Sequence, residues 1–453
     1  MPYTQTLYSP LEEDRDTREK GSLKLLYIVL DGLGDRPVKA LGGRTPLEAA
    51  ETPNMDYLAE HGINGAMYTV GRGIAPESDA AVISILGYDP FQYHPGRGVV
   101  EAIGSDMAFE EGWLALRCNF ATIGSHLEII DRRCGRDLTS HEAAELGRAI
   151  NEAVRLESHP ATFEFKSTIG HRAVLVIRPK SGRLSANITN TDPAYAKIKG
   201  LGAAIVGGNR VLSCEPQDSS EEARASADLV NEFFRKSHEV LENHPVNLAR
   251  EGRGKLKANA VLMRDASDSL PKLYDINEAF GRRFASLVDM PVERGIAKAT
   301  GMGMIPLPPP TDDLEGDLRV RLEAMLNALP KYDCFYIHIK GPDLPGHDGD
   351  CELKKAVIEA IDDHFFAGLL SKVSLSDVII CVTSDHSTPC SLGAHSDDPV
   401  PIAIAGGDIE GDGVKKFGET YCKAGKLGLL ERGTELLPRL VSLMGPGREI
   451  KKP

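Results

Sequence analysis

The stretch Leu25-Leu26-Tyr27-Ile28-Val29-Leu30-Asp31 places a carboxylate directly after a short apolar run. Such a run predicts a strand that is buried on both faces, as in a parallel sheet. The apolar runs at 335–339 and 378–382 are also followed closely by acidic and imidazole side chains. Because ligands of an open parallel sheet gather outside the carboxyl ends of its strands, we expect these distant groups to converge on one crevice.

Seven side chains at or near these strand ends form a candidate site for two metal ions. They are Asp31, Ser78, Asp343, His347, Asp385, His386 and His395. Carboxylates with imidazoles suit Zn, Mn, Co or Mg, and imidazole favours the transition metals. A single Asp–His pair is usually a surface pair, so the hypothesis depends on the coincidence of three clusters. Asp343 and His347 are interpreted as a short-loop pair on one ion, whereas Asp385 and His386 serve one site or bridge two.

Ser78 stands just before an apolar helical run that begins near Asp79. The commonest use of a serine there is to cap the helix N-terminus. A helix N-terminus also favours an anion, and metal binding would lower the pKa of a hydroxyl, so Ser78 is equally a candidate nucleophile. The two interpretations are compatible.

The motif Asp31-Gly32-Leu33-Gly34 has some likeness to a dinucleotide-binding loop. It lacks the third glycine of that motif, and Asp31 would repel a pyrophosphate unless a metal bridged them. We therefore set the nucleotide interpretation aside.

The bulk composition limits the class of protein. A chain of 453 residues is too long for one core, and 42% hydrophobic with 26% charged residues is typical of a soluble globular protein. The net charge of −14 argues against a general nucleic-acid binder but not against an anionic small-molecule substrate. Eight cysteines without a C-x-x-C motif fit a reducing cytoplasm, and no targeting or membrane-spanning segment is evident. We expect a soluble, cytoplasmic protein of undetermined oligomeric state.

Three stretches are distinguished along the chain. Residues 1–110 and 291–453 are expected to form one discontinuous α/β domain, with 111–290 inserted as a smaller α/β or α+β domain. The main domain is predicted to contain helices at 52–61 and 351–370 and a short strand at 400–404. The face of the helix at 351–370 is formed by Leu353, Val357, Ile361, Phe365 and Leu369.

The inserted stretch has its own helix and strand signals. Capping boxes are predicted at Thr139–Glu142 and at Ser219–Glu222, each before an apolar helical pattern. Strands are predicted at 162–166 and 173–177. Two chain crossings into this stretch would make a natural hinge.

Four motifs then resemble a known family. They are Leu30-Asp31-Gly32-Leu33-Gly34-Asp35, Ala75-Pro76-Glu77-Ser78-Asp79, the stretch from Lys340 to Asp350, and Ser384-Asp385-His386-Ser387-Thr388-Pro389. Together they resemble the alkaline phosphatase superfamily, and within it the archaeal-type branch of the cofactor-independent phosphoglycerate mutases. The resemblance extends from about residue 23 to 443.

The resemblance implies an alkaline-phosphatase-like, doubly wound and mostly parallel sheet with the second domain inserted. It implies interconversion of 2-phosphoglycerate and 3-phosphoglycerate through a phosphoserine at Ser78, without 2,3-bisphosphoglycerate. Two divalent ions are implied, with Mn favoured and Mg, Co or Zn compatible. One would be held by Asp343, His347 and His395, and the other by Asp31, Ser78, Asp385 and His386.

The same resemblance implies substrate contacts, mostly in the inserted domain. The candidates are His171, Arg172, Asn259, Arg264 and Lys298, with Asp192 as a candidate for acid/base work. An inserted domain that closes over the site would exclude water from the phosphoserine.

Three other functions remain open from the residues alone. A metal-dependent phosphomonoester or phosphonate hydrolase would use the same serine and ions. A phosphotransferase with an acceptor such as homoserine would also fit, and a non-catalytic binder would need a missing ligand or nucleophile.

Overall fold

The computed structural model of the chain describes residues 23–198, 201–204 and 207–446. Its strands are β1 Lys24–Leu30, β2 Gly62–Met67, β3 Leu114–Ile123, β4 Ile129–Asp131, β5 Ala161–Ser167, β6 Arg172–Pro179, β7 Tyr195–Ile198, β8 Leu201–Ala204, β9 Ala260–Ser267, β10 Phe284–Leu287, β11 Gly303–Met304, β12 Cys334–Ile339, β13 Val378–Thr383, β14 Val400–Gly406 and β15 Gly428–Leu430.

The helices of the described residues follow the same numbering. They are α1 Pro46–Ala49, α2 Pro53–Glu60, α3 Ser78–Ile85, α4 Pro90–Tyr93, α5 Arg97–Gly104, α6 Ser140–Ala153, α7 Glu221–Glu242, α8 Pro245–Gly252, α9 Ile276–Phe280, α10 Pro291–Ala299, α11 Leu314–Ala328, α12 Asp343–Asp348, α13 Cys351–Ile361, α14 Ala367–Leu370, α15 Glu419–Cys422 and α16 Leu436–Leu443. A π-helical turn at Asp362–Phe366 joins α13 to α14.

The chain divides into two compact units, residues 94–272 and the described residues on either side of them. The expected boundaries at 111 and 290 therefore lie 17 and 18 residues after the observed ones at 94 and 272. At the first crossing, α5 packs against β3 and β9 of the 94–272 unit. At the second, β10 pairs with β12 in the sheet of the other unit. The packing of α5 and the pairing of β10 therefore decide to which unit each element belongs. A change in amino-acid composition along the chain does not reveal such contacts.

The larger unit is built on an eight-stranded sheet in the order β11-β10-β12-β1-β13-β14-β2-β15. All neighbours pair in parallel except β14, which is antiparallel to both β13 and β2. The predicted mostly parallel α/β sheet is confirmed. Its core includes Leu26, Ile28, Ile337 and Ile380, none of them exposed. These side chains come from the apolar runs that predicted the strands.

The 94–272 unit contains a five-stranded sheet in which β4, β6 and β9 pair with β3, and β5 pairs with β6, all antiparallel. Helices α6 and α7 bury Leu146, Ile150, Val230 and Phe233 in its core. This is an α+β arrangement, one of the two classes expected. Its two predicted strands are confirmed as β5 and β6.

One of the two predicted capping boxes is correct. Thr139 caps α6: its hydroxyl accepts a hydrogen bond from the Glu142 amide, and the Glu142 carboxylate accepts one from the Thr139 amide. The box at Ser219 is wrong, because Ser220 is the N-cap of α7 and accepts from the Ala223 amide. The two serines are adjacent, and only the backbone conformation decides which one caps.

All eight cysteines are free thiols, as expected from their spacing. None of the described helices combines the length and the apolar character that a membrane crossing requires.

Candidate active site

Three parallel strands bring the predicted ligands to one edge of the sheet. In the pairing of β1 with its neighbours, Val29 lies opposite both His338 of β12 and Thr383 of β13. Asp31 directly follows β1, and Asp385 follows β13 by two residues. The carboxyl ends of the strands are therefore aligned by register, which brings together residues that are remote in sequence.

Asp343, His347 and His395 form a first cluster of candidate ligands, here called the first ligand cluster. The Nε2 atoms of both histidines lie 3.5 Å from Asp343 Oδ1. Nδ1 of His347 donates to the Gly393 carbonyl at 3.0 Å, and Nδ1 of His395 donates to the Pro76 carbonyl at 2.8 Å. A carbonyl only accepts, so Nδ1 of each ring carries a proton, and Nε2, which faces Asp343, is the nitrogen available to a metal.

The interpretation of Asp343 and His347 as a loop pair is wrong. Both residues lie on helix α12, where a spacing of four places them on the same face. The helix ends at Gly349, which has a φ of 73°. This helix has only six residues, between Pro342 and Gly349, so its apolar and polar positions form no helical pattern that could be recognised in the sequence.

Asp31, Asp385, His386 and Ser78 form a second cluster of candidate ligands, here called the second ligand cluster. His386 Nε2 lies 3.5 Å from Asp31 Oδ1, 3.3 Å from Asp385 Oδ2 and 3.3 Å from Ser78 Oγ. The ring of His386 also stacks on that of His395 with centroids 3.8 Å apart. The two clusters are therefore in direct contact.

Ser78 is the first residue of α3, and Glu77 occupies the N-cap position, where its side chain does not cap the helix amides. Its assignment as an N-cap is therefore wrong. The Ser78 hydroxyl instead contacts His386. Its position in the first turn keeps it beside the free backbone amides at the positive end of the helix.

Sequence reasoning missed a group of charged side chains beside the second cluster. Lys340 Nζ lies 2.6 Å from Glu293 Oε1 and 3.1 Å from Asp31 Oδ2. His338 Nε2 lies 3.8 Å from Asp31 Oδ1 and 3.6 Å from Asp385 Oδ2. A histidine inside an otherwise apolar strand and a lysine at its end were the available signals.

The two aspartates of this cluster, Asp31 and Asp385, have pKa values shifted in opposite directions. Burial works to raise the pKa of Asp31, but Lys340 and His338 outweigh it and hold the pKa well below the usual range. Burial and the charge of Asp31 raise the pKa of Asp385 to about 7. Asp31 Oδ1, Asp385 Oδ2 and His338 Nε2 are buried without a hydrogen-bond partner. Buried carboxylates with unpaired oxygens facing imidazoles are a donor set that fits a divalent cation.

Two glycines let the loop after β1 approach the other ligand segments. Gly32 has a φ of 62°, and a Cβ there would lie 2.7 Å from the Asp343 side chain and from Thr388 Oγ1. A Cβ on Gly34 would lie 2.0 Å from Ser387 Oγ. The glycines of this motif thus serve close packing between the loops, which explains the Gly-x-Gly pattern without a nucleotide.

A buried carboxylate of the 94–272 unit, Glu101, has three arginines near it, one of which is the candidate Arg264. Arg97 Nε lies 2.8 Å and Arg117 Nε 3.4 Å from Glu101 Oε1. The guanidinium of Arg264 stacks on Tyr195 at 3.2 Å from the ring centroid, and its charge, after those of Arg117 and Arg97, helps to hold the pKa of Glu101 down against burial. Sequence reasoning named Arg264 but missed the other three charged residues.

The remaining candidates occupy different settings. Burial and the neighbouring charges of Arg172, Arg133 and Arg117 lower the pKa of His171 to about 3. Burial and the charge of Arg117 lower the pKa of Arg172 to about 10. Lys298 lies on α10 of the larger unit and is partly exposed.

Asn259 and Asp192 both make structural contacts. The amide of Asn259 exchanges hydrogen bonds with the backbone of Ile123 and donates to Glu242 at 2.7 Å. Asp192 is 1% exposed, pairs with Arg132 at 3.0 Å and keeps Oδ2 without a partner. Their roles toward substrate stay predictions.

Comparison with known proteins gives consistent names. A family model described as "2,3-bisphosphoglycerate-independent phosphoglycerate mutase" matches residues 59–247. A relative of that name from Aeropyrum pernix is 46% identical over 433 residues, covering 93% of this chain and 100% of the relative. Another from Methanopyrus kandleri is 39% identical, covering 89% of this chain and 93% of the relative.

Two solved structures are similar to this chain over more than nine-tenths of its length. The PH0037 protein from Pyrococcus horikoshii is 32% identical with a TM-score of 0.75, covering 95% of this chain and all of that one. A cofactor-independent phosphoglycerate mutase from Thermoplasma acidophilum is 31% identical with a TM-score of 0.59, covering 93% of this chain and all of that one. These relatives support the mutase function over the hydrolase and phosphotransferase alternatives. The chain belongs to the 2,3-bisphosphoglycerate-independent phosphoglycerate mutase family, and its members are isomerases.

Proposed function

We propose that this mutase interconverts 2-phosphoglycerate and 3-phosphoglycerate through a phosphoserine formed on Ser78 between two divalent ions. The observation that carries the proposal is the contact of the Ser78 hydroxyl with His386, at 3.3 Å, where the two ligand clusters meet. A nucleophile at this position would have the candidate metal ligands on one side and the free backbone amides of the first turn of α3 on the other.

Each ion has a proposed ligand set. Asp343, His347 and His395 would hold one, and Asp31, Ser78, Asp385 and His386 would hold the other. When bound, the ions would neutralise charge on the transferred phosphoryl group and favour the deprotonated serine. Three imidazoles among seven ligands favour a transition metal, and we propose Mn, with Mg, Co and Zn as compatible ions.

The chemistry of the chain itself has two transfers. Ser78 Oγ attacks the phosphorus, and the bond to the glycerate oxygen breaks as that oxygen gains a proton. The glycerate then turns, and its other hydroxyl loses a proton to a base and attacks the phosphorus, whose bond to Ser78 Oγ breaks and releases the free serine. Asp192, a buried carboxylate with one unpartnered oxygen, stays the proposed acid/base group. No 2,3-bisphosphoglycerate is consumed in this sequence.

The buried arginines of the 94–272 unit suit the anionic groups of the substrate. Arg264 and Arg117 are 4% and 8% exposed; Arg117 Nε lies 3.4 Å from Glu101 Oε1, and Arg264 Nε lies 3.6 Å from Asp265 Oδ2. A guanidinium recognises a carboxylate or phosphate with two parallel hydrogen bonds. We propose that Arg264 and Arg172 contact the substrate there, with His171 as a neutral donor, Asn259 as a further contact and Lys298 as a point charge from the larger unit.

Arg264→Lys is expected to lower kcat/KM by roughly 100-fold although it keeps the positive charge. Lysine cannot reproduce the bidentate fork, and loss of a buried charged contact costs about 2–5 kcal/mol. The measurement is steady-state kinetics with 3-phosphoglycerate.

Arg235→Lys provides the matched control in the same unit. Arg235 is 60% exposed at its side chain and forms a surface pair with Glu239 four residues along α7. Such a pair contributes little, so its kinetics should equal those of the wild type. Equal kinetics for Arg264→Lys would contradict the role of Arg264.

Removal of metal is expected to abolish turnover. Chelation with EDTA should inactivate the enzyme, Mn²⁺ should restore it, and 2,3-bisphosphoglycerate should have no effect. The measurement is an enolase-coupled assay with 3-phosphoglycerate, run beside an assay for released inorganic phosphate. Phosphate as the main product would show a hydrolase, and a requirement for 2,3-bisphosphoglycerate would remove the phosphoserine mechanism.

A further inference from the structure

Thr388 is a fully buried residue that touches both ligand clusters. Its Oγ1 lies 2.7 Å from Asp343 Oδ1 and 3.1 Å from His386 Nδ1. Asp343 belongs to the first cluster and His386 to the second. One hydroxyl group therefore joins a ligand of each proposed ion.

The direction of these two hydrogen bonds follows from the number of protons available. A carboxylate only accepts, so the single hydrogen of the Thr388 hydroxyl is donated to Asp343. The hydroxyl oxygen can then only accept from His386, and Nδ1 of that ring must carry a proton. Nε2 is left with its lone pair, directed at Asp31, Asp385 and Ser78.

His386 differs in this respect from the other two histidine ligands. Backbone carbonyls fix the tautomers of His347 and His395, because a carbonyl has no proton to give. A hydroxyl facing His386 would permit either tautomer if it had no second partner. The contact with Asp343 removes this freedom, so the tautomer of a ligand in one cluster depends on a ligand in the other.

The backbone around Thr388 is held independently of its hydroxyl. The Thr388 amide donates to the Gly34 carbonyl at 2.9 Å, and its carbonyl accepts from Lys354 Nζ at 2.9 Å. A substitution at the hydroxyl should therefore leave the loop in place.

We propose that Thr388 is a positioning residue that fixes the metal-binding tautomer of His386 and couples the two ion sites. The proposal rests on the two-ion site of the proposed function. In this role the Thr388 hydroxyl does not touch an ion itself but orients Asp343 for one ion and His386 for the other.

Two variants separate the hydroxyl from the shape of the side chain. Thr388→Val keeps the branched shape and removes the hydroxyl, whereas Thr388→Ser keeps the hydroxyl and removes the methyl group. Binding of Mn²⁺ to metal-free protein is measured by titration calorimetry without substrate. We expect Thr388→Val to lose about 10- to 100-fold in affinity for both ions and Thr388→Ser to stay close to wild type. Wild-type affinity in Thr388→Val, or a loss restricted to one ion, would overturn the proposal.

The tautomer provides a readout that a general structural defect would not produce. In long-range ¹H–¹⁵N spectra of the metal-free protein, His386 should be protonated at Nδ1 in wild type and in Thr388→Ser. In Thr388→Val we expect a shift toward the other tautomer or a mixture. An unchanged Nδ1–H signal in Thr388→Val would refute the role of the hydroxyl. If wild-type protein itself bound fewer than two ions, the two-ion function would fail, which is a separate outcome.

Discussion

Ser78→Ala is expected to lose mutase activity by on the order of 10⁴-fold or more, because removal of a nucleophile leaves no atom to carry the phosphoryl group. The alanine removes one oxygen and leaves six of the seven proposed metal ligands. Metal binding should therefore be largely retained, and the loss should fall on kcat. The measurement is the enolase-coupled assay at saturating Mn²⁺ and 3-phosphoglycerate.

Ser84→Ala is the matched control on the same helix. Ser84 is fully buried on α3, and its hydroxyl has no hydrogen-bond partner. Removal of that hydroxyl breaks no hydrogen bond, so activity should equal that of the wild type. A similar loss in both variants would indicate damage to the helix rather than to the chemistry.

A trapping experiment examines the intermediate directly. Acid quenching of wild-type enzyme during turnover of ³²P-labelled 3-phosphoglycerate should leave label on the peptide that contains Ser78. Ser78→Ala should carry no label. Turnover by Ser78→Ala, or label on another residue, would exclude the proposed nucleophile.

The strand ends were predictable because hydrophobic burial and topology both act on short local patterns. The runs around Ile28, Ile337 and Ile380 are apolar on both faces, which is sufficient to predict buried parallel strands. Parallel strands place their carboxyl ends at one edge, so the convergence of Asp31 and Asp385 follows from general rules. The prediction that these candidate ligands converge required only this coarse information.

The charged residues behind the ligands could not be found in this way. His338 lies inside β12, where a pattern-based analysis treats every side chain as core. Its proximity to Asp31 and Asp385 depends on the register of β12 and β13 with β1. Pairing register is a tertiary property, and the sequence of one strand does not contain it.

In the amphipathic helix that follows Gly349, the sequence pattern also fails to predict which of two neighbouring residues, Leu353 or Lys354, is buried. Ile361, Phe365 and Leu369 are fully buried as predicted, but Leu353 is 51% exposed and Lys354 is not exposed at all. The apolar pattern favours Leu353 as a core residue. Three acceptors on other segments instead hold the Lys354 side chain inside, and this outweighs the hydrophobic preference of the helix.

Lys354→Met is expected to destabilise the larger unit by about 3–5 kcal/mol, because it leaves a buried charge without its partner. Lys354 Nζ lies 2.9 Å from Asp35 Oδ2, and both side chains are fully buried. The ammonium group also donates to the carbonyls of Gly34 and Thr388, at 3.1 and 2.9 Å. All three of its hydrogens are used. Methionine fills a similar volume but supplies none of these bonds.

Lys355→Met is the control on the next residue of the same helix. Lys355 pairs with Glu359 at 2.7 Å, and both side chains are more than a quarter exposed. A partly exposed pair at this spacing contributes at most about 0.5 kcal/mol. Urea unfolding of the metal-free proteins, followed by circular dichroism, should therefore separate two neighbouring lysine substitutions by several kcal/mol.

A second substitution distinguishes the cost of the unpaired charge from lost packing. Asp35→Asn in the Lys354→Met background removes the carboxylate charge while keeping an oxygen for the Arg36 and Cys390 amides, which bond to Asp35 at 2.8 Å and 3.1 Å or more. The double variant should be more stable than Lys354→Met alone. The pair also joins the loop that follows Asp31 to the segment that follows His386, so Mn²⁺ affinity should fall with the single substitution and recover in part with the double. If Lys354→Met and Lys355→Met unfolded at the same urea concentration, the buried pair would not be what holds the two ligand segments together.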